Sequence, residues 1–333
     1  HGAGPDFEWR PTPQDTVTGQ LLFSCSDTPV RPDRAAEWDG RELSGHAAKF
    51  WEPPATETWD LFGQYEDFSD DFRADNGFVP QVGYRMLYVE SGRTWRPVDK
   101  PVSRLRLFAI ADRAETQGGE LLSQEIVPGF GLDATWNSFV RFEFAFDEIV
   151  DQGVTYERFR FRPRFEIRPG KILQQVTLQA VYGDDVDFAN HRPGDGWQAT
   201  LTADLQPTDH LALELSAARR TLDVEAGAAG AQLSGTLFTA DLARLRAVYN
   251  FNAKCWIRLI GEWQAIERDP TLYDFEVPAT GGDFAGSAVF AYKLNWQTVF
   301  FLGVGDERTQ DPNGDLQPLG RQAFFKISYA FQR

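Results

Sequence analysis

The stretch Tyr156–Arg168, YERFRFRPRFEIR, places Arg158, Arg160, Arg162, Arg164, Glu166 and Arg168 on one parity. Phe159, Phe161, Phe165 and Ile167 take the other. A helix would scatter both sets around its circumference, whereas a strand separates them onto two faces. The same alternation follows at Val176, Leu178, Ala180 and Tyr182, and again at Trp197, Ala199, Leu201, Ala203 and Leu205. Leu211, Leu213, Leu215 and Ala217 oppose Ala212, Glu214 and Ser216, and Cys255, Ile257, Leu259, Gly261 and Trp263 oppose Arg258, Glu262 and Gln264. Repetition along nearly the whole chain predicts an all-β protein, an antiparallel transmembrane β-barrel with one face of each strand toward lipid and the other toward a polar interior.

Composition agrees with that reading. The 333 residues include 27 Phe, 10 Trp and 9 Tyr but one Met, and the net charge is −16. A mean hydropathy of −0.40 also fits a soluble acidic protein. A barrel wall reaches the same value because a polar interior and polar loops dilute its apolar residues. No apolar run approaches the ~18 residues of a transmembrane helix. The acidic balance makes nucleic acid a poor partner, since phosphate binding needs a basic surface. Cys25 and Cys255 form no metal-binding spacing and read as small wall residues.

The connections alternate between short and long, as periplasmic turns and outer loops do. Short ones fall near Pro53–Thr56, Arg96–Lys100, Asp133–Thr135, Pro169–Lys171, Pro207–Asp209, Asn252–Lys254 and Asn295–Gln297. Long acidic ones span 26–41, 67–82, 184–195, 220–235, 267–284 and 306–320. Trp51, Trp59, Trp95, Trp136, Trp256 and Trp296 gather at the short turns, as in an aromatic girdle at one membrane interface. From Asp15 onward the chain has room for about 16 strands at the usual barrel repeat. Phe7 and Trp9 mark an extra strand in Pro5–Pro11, which makes the count odd. A closed antiparallel barrel with both ends in the periplasm needs an even one, so further strands are expected upstream of His1. At the other end Phe325, Ile327, Tyr329 and Phe331 form the alternating final strand that barrel assembly machinery reads, with Gln332 and Arg333 following. Residues 1–333 are expected to be one barrel domain without a second.

Several stretches resemble a family of bacterial outer-membrane barrels of unknown function, whose members follow an N-terminal domain resembling family-nine carbohydrate-binding modules. They are GPDFEWRP (4–11), VTGQLLFS (17–24), FRADNGFVPQVGYR (72–85), WNSF (136–139), VDFAN (186–190), QPTDHL (206–211), FAYKLNWQTVFFLGVGDER (290–308) and KISYAFQR (326–333). The resemblance covers most of the chain. It implies a membrane barrel whose upstream part lies outside these residues, and it carries over no catalytic residue.

By parity, Arg104, Arg106, Arg141, Arg158, Arg160, Arg162, Arg164, Arg244, Arg246 and Arg258 face the interior with Glu143, Asp204, Glu214, Glu262 and Gln264. A cationic strip opposite carboxylates orders water and favours small polar or anionic solutes, the reading of a channel or transporter wall. The plain alternative is a salt-bridged interior that braces the wall or holds a plug, because charges that cannot face lipid must face inward. That would suit a structural or anchoring barrel filled by its own or a partner's segment in an envelope complex. Four guanidiniums on successive positions, Arg158–Arg164, repel one another unless carboxylates or a ligand compensate them. The acidic groups Asp67, Asp70, Asp71, Asp75, then Asp184, Asp185, Asp187, then Asp306, Glu307, Asp311 have the oxygen chemistry for Ca²⁺ or Mg²⁺ bridging lipopolysaccharide, but solvated loops explain them as simply. Ser44 and His46 share a parity without an orienting acid, and no phosphate loop or HExxH occurs, so neither catalysis nor a cofactor is expected.

Overall fold

A computed structural model describes the chain except residues 13–15, 35–37, 53–55, 57, 75–78, 99, 226–233, 312–313 and 332–333. The expected turn at Pro53–Thr56, the acidic Asp75, and Gln332 and Arg333 fall wholly or largely outside the described residues. Eighteen antiparallel strands form one sheet, and no helix among the described residues is long and apolar enough to cross a membrane. In chain order the strands are β1 Gly2–Ala3, β2 Asp6–Trp9, β3 Val17–Asp27, β4 Glu42–Glu52, β5 Trp59–Phe68, β6 Tyr84–Trp95, β7 Val102–Thr116, β8 Leu121–Ala134 and β9 Ser138–Asp151. They continue as β10 Val154–Ile167, β11 Leu173–Asp187, β12 Arg192–Thr208, β13 Leu211–Val224, β14 Gly235–Asn252, β15 Cys255–Arg268, β16 Thr280–Lys293, β17 Thr298–Gln310 and β18 Leu316–Tyr329. Sixteen of them begin at Val17 or later, as the repeat predicts. The extra N-terminal strand is present in two pieces, since both β1 and β2 pair with β3.

The chain divides into two compact units. His1–Gly131 with Glu143–Phe159 forms the first, where β3 to β7 pair in chain order. Leu132–Phe142 with Arg160–Arg333 forms the second, where β10 to β18 pair in chain order.

Register converts sequence parity into two faces, because directly opposed residues of an antiparallel pair lie on the same side. In the second unit Leu201, Ala217, Ala243, Trp263 and Phe284 are successive partners across five strands. One register away on β13 to β15, Ser216, Arg244 and Glu262 are partners on the other side. The apolar face is the exposed one: Phe23, Leu61, Leu107, Leu302 and Phe325 are each at least half accessible. Contiguous apolar surface on this scale is unfavourable in water and favourable in lipid.

Connections depart from expectation at one end of the sheet. The segment 184–195 is not a long loop, because β11 and β12 stay paired to Asp187↔Arg192. Likewise β17 and β18 stay paired to Gln310↔Leu316, which shortens the expected 306–320 loop. In the first unit β9 and β10 join through Gln152 and Gly153 at φ 48° and 80°. Two successive positive φ values are the two-residue hairpin turn whose twist suits strands, and they favour glycine at the second position. The β15–β16 connection is longer and carries a 3-10 turn, Pro270–Leu272. Its Leu272 packs with Leu222, Val224 and Leu237 into a buried cluster against Phe238 and Tyr273.

Candidate functional site

The predicted charges meet partners that the alternation alone did not name. In the first unit Arg106 on β7 donates through Nε to Asp60 at 3.1 Å, and its Nη1 lies 2.7 Å from Glu90. Arg106 also stands over the Phe108 ring at 5.0 Å. Arg104 shares its face. Arg158 donates from Nε to Asp147 at 2.9 Å, and both side chains are nearly buried, at 10% and 5% exposure. Asp147 lies on β9 with the parity of Arg141 and Glu143. Asp60, Glu90 and Asp147 belong to the charged face as well, and the parity each holds in its strand is the sequence signal for them.

In the second unit Arg164 and Arg168 both pair with Glu166, at 3.1 and 2.8 Å, and Arg164 lies 5.9 Å over Phe139. Arg160 and Arg162 complete the row on β10. Arg244 faces Glu262 at 3.7 Å, and Arg246 pairs with Glu214. Arg258 shares this face, and its Nε is buried without a hydrogen-bond partner. Gln264 donates to Asp283 at 2.9 Å. The compensation required for the Arg158–Arg164 row is therefore supplied in part by Asp147 and Glu166. Taking such charges from water is costly unless each is paired and hydrogen-bonded.

The tryptophans divide between the faces. Trp59 and Trp95 are on the apolar face, where Arg93 lies 5.1 Å from each ring. Trp136 and Trp296 are exposed in turns. Trp51 and Trp256 correct the expected girdle. Trp51 opposes Gln64 and shares its face with Lys49, whereas Trp256 opposes Asn250 and packs on Phe301. The spacing Lys49–Trp51 in the sequence already carried that signal. At the C-terminal strand Phe325, Ile327 and Tyr329 lie on the apolar face opposite Leu302, Phe300 and Thr298, and Phe331 packs edge-on to Tyr329 just past the strand.

At the loop end of the second unit is a cavity of roughly 780 Å³ lined from both parities, by Gln198, Arg220, Gln264, Arg268 and Asp283 of the charged face and by Arg219, Asp241 and Gln310 of the other. Arg220 donates to Asp185 at 2.9 Å and lies 5.5 Å over Phe238. Arg268 reaches the Pro278 carbonyl at 3.4 Å, which ties this cavity to the β15–β16 loop. Its three guanidiniums, three side-chain amides and three carboxylates can bind a small polar solute through several hydrogen bonds. They supply no nucleophile with a neighbouring base.

The β15–β16 loop is held by a second arrangement missed in the sequence. Arg192 donates from Nε to Asp187 at 2.9 Å and from Nη2 to the Leu272 carbonyl, and the two charged side chains are 8% and 2% exposed. Asn190 Oδ1 accepts from the Asp274 N–H at 2.9 Å. Burial pushes the Tyr273 phenol above its ordinary pKa. Asp269 is held below the usual carboxylate range because it accepts from the Thr271 hydroxyl and N–H.

Four of the acidic residues expected in loops, Asp67, Asp185, Asp187 and Asp306, are engaged by cations. Asp67 meets Arg85 at 3.4 Å and His46 at 3.5 Å, Asp187 holds Arg192, and Asp306 takes both Arg308 and Arg321 at 2.6 Å. Among the described residues no group of three or more His, Cys, Asp or Glu is placed to hold a metal ion.

No protein-family model matches the chain, and no curated protein matches it.

Proposed function

We propose that the chain forms the wall of a transmembrane β-barrel in a bacterial outer membrane and that small polar solutes pass along its charged face, which lines the lumen. The spacing of charges on the apolar face carries this reading. Leu211 to Arg219, Asp241 to Tyr249, Thr298 to Asp306 and Arg321 to Tyr329 each span nine residues, with 211↔249 and 219↔241 in register, and 298↔329 and 306↔321 likewise. A tilted strand crosses hydrocarbon in ~9–11 residues. In the first unit Trp59 to Asp67 repeats the interval, with Arg93 and Arg85 in register at its two ends. On the other face, paired charges such as Arg106 with Asp60 and Arg246 with Glu214 tolerate water at the same depth.

The cavity around Arg220, Arg268 and Asp283 supports a polar solute rather than a lipidic one. The experiment is single-channel recording in planar bilayers, with steady open-pore current expected. A second reading, a bracing and anchoring barrel, is favoured by the close pairing of Arg158 with Asp147. Silence in the bilayer together with a co-purifying envelope protein would select it. Catalysis forms no part of either reading.

A further inference from the structure

The apolar face of β16, β17 and β18 is not uniform. Two registers there carry no aromatic or leucine side chain: Gly286 opposes Asp306, which opposes Arg321, and Ala288 opposes Val304, which opposes Ala323. One register further, Phe290, Leu302 and Phe325 restore bulk. A cavity of roughly 630 Å³ there has Gly286, Ala288, Val304 and Ala323 as its floor, Asp306, Arg308 and Arg321 at its charged end, and Ser287, Gly305 and Gln322 of the other parity completing its lining. That volume is within the ~300–1,000 Å³ of small-molecule sites. A Cβ at Gly286 would come within 3.1 Å of the Phe284 ring, so the depression is walled on that side as well.

The charged end carries an excess of cation. Arg308 and Arg321 each donate Nε to the single carboxylate of Asp306, at 2.6 Å. One carboxylate against two guanidiniums leaves a positive charge, and among the described residues no hydrogen bond engages the Nη groups of either arginine. A guanidinium fork matches the geometry of phosphate oxygens. The groove runs from this pair into the nine-residue apolar band, with no charged side chain on its floor.

We propose that this groove binds one lipid whose headgroup carries a phosphomonoester, its phosphate on Arg308 and Arg321 and an acyl chain over Gly286, Ala288, Val304 and Ala323. The assignment rests on the membrane reading above, because only there does this face meet lipid. The headgroup supplies the charge that Asp306 leaves unmatched, and the chain fills a depression that straight bulk lipid would leave underpacked.

The test uses the full chain in phosphatidylcholine nanodiscs doped with lipid A, with retained lipid read by native mass spectrometry after mild delipidation. One retained lipid A per wild-type chain is expected. Loss of the charge-assisted contacts in R308A/R321A lowers retention about tenfold or more. Ala288→Leu fills the groove, leaves both arginines in place and lowers retention as well. Equal retention by wild type and both variants overturns the proposal, as does equal retention of dephosphorylated lipid A. Displacement by millimolar inorganic phosphate without loss in Ala288→Leu also overturns it, since that describes a bare anion site. Vesicle flotation separates the two levels. A chain that floats but retains no lipid A defeats this inference alone, whereas a chain that does not float defeats the membrane reading with it.

Discussion

Arg219 and Asp241 face each other in register on β13 and β14 and are joined by two hydrogen bonds of 2.7 Å, on a face that otherwise carries Leu215, Ala217, Ala243 and Leu245. The pair marks the edge of the apolar band. Charge is tolerated at that edge and costly a turn of the pleat or two below it, because the hydration of a guanidinium is lost only at depth. Leu215→Arg should therefore destabilise the folded chain in vesicles by about 2–4 kcal/mol, whereas Arg219→Leu should change it by about 1 kcal/mol or less. Denaturant unfolding in lipid checks both. Equal costs at the two positions would remove the depth assignment.

The β15–β16 loop depends on a buried charge. Asp187→Ala leaves the Arg192 guanidinium without its carboxylate in a nearly dry site, at an expected cost of about 3–5 kcal/mol. Leu272→Ala removes the apolar plug of the same cluster, at about 2–5 kcal/mol. Hydrogen exchange should locate both losses first in residues 269–279 and in the β11–β12 hairpin, with the paired strands near the opposite end unaffected. Uniform loss of protection throughout β11–β16 would show that the loop is not a separable element.

The pH response of this loop follows from Asp269. Its depressed pKa means that its contribution is fully present above the unfolded carboxylate value of about 3.9 and is lost as pH falls through the lower folded value. The Thr271 amide, which donates to Asp269 at 3.0 Å, should keep its protection factor between pH 7 and pH 4.5 and lose it only in stronger acid. Loss near pH 6 would point to a different titrating group.

Much of the wall was legible in the sequence because alternation is a local property. Leu211, Leu213, Leu215 and Ala217 announce a face without knowledge of any partner strand. The ends were not legible. Asp184 to Asp187 and Asp306 to Gln310 carry polar residues on both parities, which read as loop although the ladder continues. Partners were not legible either, since Arg192 finds the Leu272 carbonyl 80 residues away and Arg106 finds Asp60 across 46. Register, not spacing, brings those groups together. The tryptophans show the intermediate case, in which proximity to a turn outweighed the parity that Lys49 and Trp51 share.

The arginine row on β10 gives the most direct functional test. Arg158 is matched by Asp147, and Arg164 shares Glu166 with Arg168. Arg160 and Arg162 lie between them on the same face. In a water-filled lumen a unit charge ~4 Å from a passing ion is worth about 1 kcal/mol, roughly a fivefold change in permeability ratio. Arg160→Ala with Arg162→Ala removes two such charges and leaves Asp147 and Glu166 in place, so the reversal potential in a salt gradient should move toward cation selectivity. Arg219→Ala removes the same charge from the apolar face and should leave the reversal potential where it was. If the β10 double variant conducts with unchanged selectivity, the row braces the wall without steering solutes. If Arg219→Ala shifts it equally, the two faces have been assigned the wrong way round.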